Sequence, residues 1–166
     1  MSRGHSELGR ALRGAWWGLI ATVVMTVFMA MGAATGSLFT TQGAFPVLIA
    51  RRVLGAGTSL AVATAFAHLG YGAVAGILFA YFTRPMTLLK GMGYATFLWV
   101  IMQILWIPSL GWGDFGQIHS HWLAVYTLAL HLPYGAALGW LGARDDAKHA
   151  ATFDELGRLS APRSLA

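Results

Sequence analysis

His68 and His131 stand at matching places in two near-copies of one segment, AHLGYGAVAG and LHLPYGAALG, and neither copy carries a charged residue. An imidazole in such surroundings has three kinds of chemistry open to it. Neutral, it donates one hydrogen bond and accepts another, and so ties helices together through a carbonyl, a threonine or a glutamine. Its unprotonated nitrogen is an axial ligand for iron. Two imidazoles on related helices at equal depth would approach a central b-type haem from opposite sides, with Gly72 and Gly135 leaving room for the flat macrocycle. Exchanging protons, the pair would instead form a relay, the neighbouring glycines lining a path for protons or a small solute. Structural bonding without a cofactor is the expected use, and haem b and the proton or small-solute pathway are its two alternatives.

Thr26 and Gln103 join the histidines by depth. Thr26 lies thirteen residues from Arg13, Gln103 thirteen from Lys90, His131 thirteen from Arg144 and His68 sixteen from Arg84. At 1.5 Å per helical residue all four sit roughly 20 to 24 Å from the nearest basic residue, which is near the middle of a bilayer whose hydrocarbon is about 30 Å thick. Four helices each bring one polar group to one level. Pro133 adds a reason for a donor there, since its missing N–H frees a carbonyl one turn earlier, near Ala129.

Chemistry outside this level is sparse. Asp114, His119 and His121 share one loop, but the two residues of His-x-His do not share a helix face, so loop and capping roles are expected rather than a metal site. His5 and His149 read as exposed residues. No nucleophile–base pair, phosphate loop or complete metal set occurs at workable spacing, so no enzymatic activity is expected. Cysteine is absent, which removes disulfides and thiolate sites.

The elements that carry these residues are membrane spans. The chain of 166 residues is 57% hydrophobic and 10% charged, against about 25% charged in a soluble domain. Uncharged windows run from Gly14 to Ala50, Val53 to Thr83, Gly91 to Gly113 and Phe115 to Ala143, and each holds the roughly 20 residues that cross a bilayer as helix. The expected helices are Ala15 to Leu38, Leu60 to Phe82, Leu89 to Ile107 and Trp122 to Leu141. That makes an all-α membrane protein with a short segment 1–14, a four-helix transmembrane domain 15–143 and a polar tail 144–166. The tail is expected to be at most a frayed helix around Thr152 to Leu159. The first apolar stretch is far longer than the h-region of a signal peptide.

Charge sets the expected orientation. With the N-terminus inside, nine basic residues lie on the cytoplasmic side and only Arg51 and Arg52 outside. This is the positive-inside pattern, so both termini are expected in the cytoplasm and the chain in the inner cell membrane as a multi-pass protein. The net charge of +5 then reflects topology, and no basic face with interleaved aromatics points to nucleic acid. In the first outer loop Pro46 is expected to start a short surface helix, with Val47, Leu48 and Val53 on lipid and Arg51 and Arg52 toward water. Pro108 is expected to end the third helix, and the glycine-rich SLGWGDFGQ to form a loop.

The histidine segments belong to a longer repeat. TAFAHLGYGAVAGILFA, from Thr64, and TLALHLPYGAALGWLGA, from Thr127, agree at nine of seventeen positions. The first and third helices match more weakly, pairing Arg13 with Lys90, Gly14 with Gly91, Trp17 with Tyr94 and Met25 with Met102. Two parallel helical hairpins, related by a pseudo-two-fold axis along the membrane normal, are therefore expected. Stripes of small residues at i, i+4 give each helix a packing face: Thr64, His68, Gly72, Gly76 and Ala80; Thr127, His131, Gly135, Gly139 and Ala143; and Gly14, Gly18, Thr22, Thr26 and Ala30. Such stripes let backbones approach closely in lipid, within one chain or between copies, so a homo-oligomer or other membrane subunits fit as partners beside the bilayer itself.

GLIATVVMTVFM, AHLGYGAVAG and HLPYGAALG together resemble a family of small four-helix membrane proteins of bacteria and archaea whose function is unknown. There, a Gly-Leu-x-Ala-Thr-x-x-Met start is followed by His-x-x-Tyr/Phe-Gly segments. The likeness covers about Gly14 to Gly142. It implies an integral-membrane fold and no established activity, and it includes neither the His-Ser-His of residues 119–121 nor the Arg51-Arg52 pair.

Overall fold

Four long helices dominate the computed structural model, which describes residues 2–34, 51–55, 57, 59, 62, 65–118, 120 and 122–160. They are α1 (Ser2–Ala34), α2 (Ala65–Phe82), α3 (Leu88–Ser109) and α4 (Leu123–Ser160), and no strand occurs among the described residues. Three stretches, Glu7–Gly32, Ala65–Phe82 and Leu88–Ser109, are long and apolar enough to cross a membrane. In α4 the apolar half is diluted by Tyr126, His131, Pro133 and Tyr134.

Local sequence explains the helix ends. Residues that precede proline are pushed out of the helical region, and α2 stops at Phe82, ahead of extended Thr83 and the Arg84-Pro85 pair. Thr87 then caps α3, its hydroxyl accepting from the Lys90 N–H at 3.2 Å. Pro108 lies in the last turn of α3 and the helix ends at Ser109, beyond which Gly111 and Gly113 take positive φ, a conformation that favours glycine. Ile107 was the expected end, so proline stops the helix from within its last turn.

Two other boundaries move further. α1 begins at Ser2 rather than Ala15, and α4 runs to Ser160 rather than Leu141. No proline lies in the intervening residues, and their glycines weaken a helix without ending it. Arg144 to Arg158 is rich in Ala, Asp, Lys, Glu and Arg, and Asp154–Arg158 at 2.8 Å gives an i, i+4 pair. The tail is thus continuous helix, exposed from Ala147 to Gly157. Residues 51–54 are helical, whereas Pro46, Val47 and Leu48 of the expected surface helix, and His119 and His121, lie outside the described residues.

α1 packs along α2, α3 along α4, and α4 also against α1, while α2 and α3 meet through side chains, the Phe79 and Tyr94 rings lying 5.3 Å apart. Glycines set the closest approaches. A Cβ on Gly14 would collide with the Gly76 carbonyl and the Ala80 side chain, and one on Gly18 with Gly72. Gly91 likewise abuts Gly135 and Gly139, and Gly135 abuts Ala95. The interior is accordingly small: Ala21, Ala75, Ala80 and Ala95 are buried, with Phe79 and Leu138 as the large fillers. The bulky apolar side chains point out, Phe82, Leu89, Phe97 and Leu105 among them. Small residues inside and large apolar residues outside suit lipid, where close packing rather than apolarity drives helices together.

Charged groups gather at one end. Arg13 Nε pairs with Asp145 at 3.2 Å, Arg84 with Asp146 at 3.1 Å, and Asp146 also accepts the Met86 N–H at 2.8 Å. Arg10 lies over Tyr81 and Arg144 over Trp140. At this end α1 and the loop after α2 are therefore fastened to α4 by ion pairs, and α1 to α2 by the Arg10–Tyr81 contact.

Candidate functional site

All four helices line a cavity of about 420 Å³, within the range of about 300 to 1,000 Å³ usual for small-molecule sites. Its wall is almost wholly apolar, and its polar side chains are Thr22, His68, Tyr71, Thr127, His131 and Tyr134. Two π-helical turns contribute to it, Ala65–Gly70 of α2 and Met102–Trp106 of α3. Such turns break the regular ladder by one residue and re-aim the side chains that they carry.

Gln103 and Thr127 come together as a buried pair. Gln103 is 0% exposed, and its amide N–H donates to the Thr127 hydroxyl at 2.8 Å. The Trp99 indole N–H donates to the same hydroxyl at 3.1 Å and to the Ala124 carbonyl. Thr127 passes its own proton to the Leu123 carbonyl at 2.8 Å. One hydroxyl thereby ties two side chains of α3 to the backbone of α4. The Gln103 carbonyl oxygen is buried with no partner among the described residues.

Tyrosines make further bonds between helices. Tyr94 of α3 donates to the Ala75 carbonyl at 2.9 Å, and Tyr134 of α4 to the Gly72 carbonyl at 3.2 Å. Both acceptors lie on α2, so the second helix is held to the other hairpin by phenol groups.

His131 is 8% exposed and lines the cavity. Its Nδ1 lies 2.7 Å from the Thr127 carbonyl. A carbonyl only accepts, so Nδ1 carries the proton, and in the neutral ring Nε2 is left with its lone pair. No described residue bonds to Nε2. The bond stays within α4 and goes to the regular i−4 carbonyl, not to the one freed near Ala129 by Pro133.

Of the four residues placed at one level by depth, Gln103 and His131 lie on either side of Thr127, and His68, half-buried, lines the same cavity. Thr26 stays out of the group. It is exposed and donates to the Thr22 carbonyl in its own helix at 2.8 Å. An i, i+4 stripe drifts about 40° per step, so the α1 stripe is buried at Gly14, Gly18 and Thr22 and has turned outward by Thr26. Thr22 takes its place at the cavity. Gly72, Gly76, Gly135 and Gly139 are all buried at helix contacts.

Thr127, Tyr71 and Tyr134 had a signal in the sequence, being identical between the two repeat copies. Trp99 had none, since nothing in its spacing points to Ala124 or Thr127. No family model, curated protein or solved structure matches the chain.

Proposed function

We propose that this chain is a four-span, non-enzymatic integral membrane protein built of two parallel hairpins, whose polar midplane residues hold the helices together. The observation that carries the reading is the fully buried Gln103 bonded to Thr127, because an amide in hydrocarbon stays there only when bonded. The glycine contacts support the duplication: Gly14 meets Gly76 as its counterpart Gly91 meets Gly139, and Gly18 meets Gly72 as Ala95 meets Gly135. Basic residues clustered at one end support a cytoplasmic face for both termini. Alkaline carbonate extraction tests the membrane assignment. The chain should stay with the lipid pellet, and release into the supernatant would refute it.

Haem b is a second reading, favoured by one observation: the His131 tautomer leaves Nε2 free to bind iron. The fit is incomplete. No Lys or Arg is among the residues that line the cavity, so the two propionates would lack charge partners. Protein purified in mild detergent from haem-replete cells should be colourless. A Soret band lost in both His68→Leu and His131→Leu would establish the haem instead. The proton pathway has less support, as no Asp or Glu lines the cavity beside the histidines.

A further inference from the structure

Three partners define what the cavity lacks. His131 Nε2 presents a lone pair from a side chain that is more than nine-tenths buried and held in one tautomer by the Thr127 carbonyl. His68 and Tyr71, on one turn of α2, also line the cavity and form no hydrogen bond with any described residue. By contrast Thr22, Thr127 and Tyr134 spend their hydroxyl protons on the Gly18, Leu123 and Gly72 carbonyls. The polar capacity left over is thus one fixed acceptor on α4 and two groups on α2 that donate or accept, beside the acceptor lone pairs of Thr22 and Tyr134 and the Trp106 indole N–H. An acceptor of this kind calls for an O–H donor.

The rest of the wall limits the donor's class. Met25, Met102, Phe66 and Trp106 supply soft apolar and aromatic surface. Among the described residues neither a cationic nor a carboxylate side chain lines the space, so a charged ligand would be desolvated without compensation. Phe66 and Val74 of α2 are exposed and line the same cavity, so it is open on that side of α2. On the membrane reading, that side faces lipid.

We propose that the cavity binds one uncharged, lipid-soluble ring alcohol of the quinol or phenol class, whose hydroxyl donates to His131 Nε2 while its second oxygen meets His68 and Tyr71. The ring packs among Met102, Phe66 and Trp106, and an alkyl tail leaves toward the bilayer past Val74. This rests on the membrane reading and gives the midplane histidines a role that interhelical bonding does not require, since His131 bonds only within its own helix.

Gly70 provides the test. It lines the cavity, and a Cβ added there meets nothing within 4 Å, so Gly70→Leu adds bulk at the cavity wall with no clash at its Cβ and replaces none of the polar groups. The probe is a decyl-substituted benzoquinol, kept reduced, and its dimethyl ether, which has the same ring but no O–H. Binding is counted on protein in phosphatidylcholine nanodiscs, with empty nanodiscs subtracted and the fold checked by circular dichroism and size exclusion. Saturable binding of the quinol to the unchanged protein is expected, lost in Gly70→Leu and about tenfold weaker for the ether, the worth of one hydrogen bond. No saturable binding to folded protein overturns the proposal, as does equal binding by Gly70→Leu. Equal affinity for quinol and ether overturns the His131 contact. Failure of carbonate retention would instead strike the membrane reading, whatever the binding result.

Discussion

At the scale of residues, Thr127 is the hinge of the polar network. Its hydroxyl accepts from Gln103 and Trp99 and donates to the Leu123 carbonyl. Thr127→Val strands the buried Gln103 amide N–H, while the Trp99 indole N–H keeps the Ala124 carbonyl, so thermal or denaturant unfolding in detergent should show a loss of about 1 to 3 kcal/mol. Gln103→Leu removes the costly amide together with its bond and should cost less. In the double variant the two changes should be clearly less than additive, because the amide that Thr127→Val strands is no longer there. Additive losses would mean that the two side chains do not act on one another. How much of this was legible beforehand differs by residue. Depth counting from basic residues singles out Gln103 and both histidines because a straight helix converts residue number directly into height. It cannot report azimuth once a stripe drifts, which is why Thr22 and not Thr26 reaches the cavity.

At the scale of elements, the glycines divide by contact. A Cβ on Gly135 would lie 2.6 Å from the Ala95 Cβ and 2.9 Å from the Met92 Cα, whereas one on Gly93 meets nothing. Backbone and a Cβ have no flexible end to move aside, so Gly135→Ala must push α3 and α4 apart. It should lower the melting temperature in detergent by several degrees, while Gly93→Ala, on the same helix pair, should leave it unchanged or raise it slightly through better helix propensity. Equal effects at the two positions would contradict the packing described. The loop between α2 and α3 has its own anchor in Asp146, which takes the Met86 N–H and Arg84. Asp146→Ala should destabilise by about 1 kcal/mol, measured in the same melts. Helix existence was plain from uncharged windows and apolar runs. The ends of α1 and α4 were not, because charged residues mark a change of polarity and not a helix break, and no proline lies in 2–14 or 142–160 to stop either helix.

At the scale of the whole molecule, four helices pack as two antiparallel hairpins joined chiefly along α1 and α4, with one end carrying the ion pairs. Three of these helices are apolar enough to span by composition. The fourth owes its lower hydropathy to His131, Pro133, Tyr126 and Tyr134, of which His131 and Tyr134 line the cavity. Whether α4 crosses the membrane decides between four spans and three. The chain has no native cysteine, so single cysteines placed at Thr41, Thr87, Gln117 and Ser160 can be labelled one at a time with an impermeant thiol reagent on intact cells. Four spans with cytoplasmic termini predict labelling at positions 41 and 117 only. Labelling at 160 as well as 41 and 117 would leave α4 outside the bilayer and reduce the spans to three, and labelling at 87 and 160 alone would invert the topology.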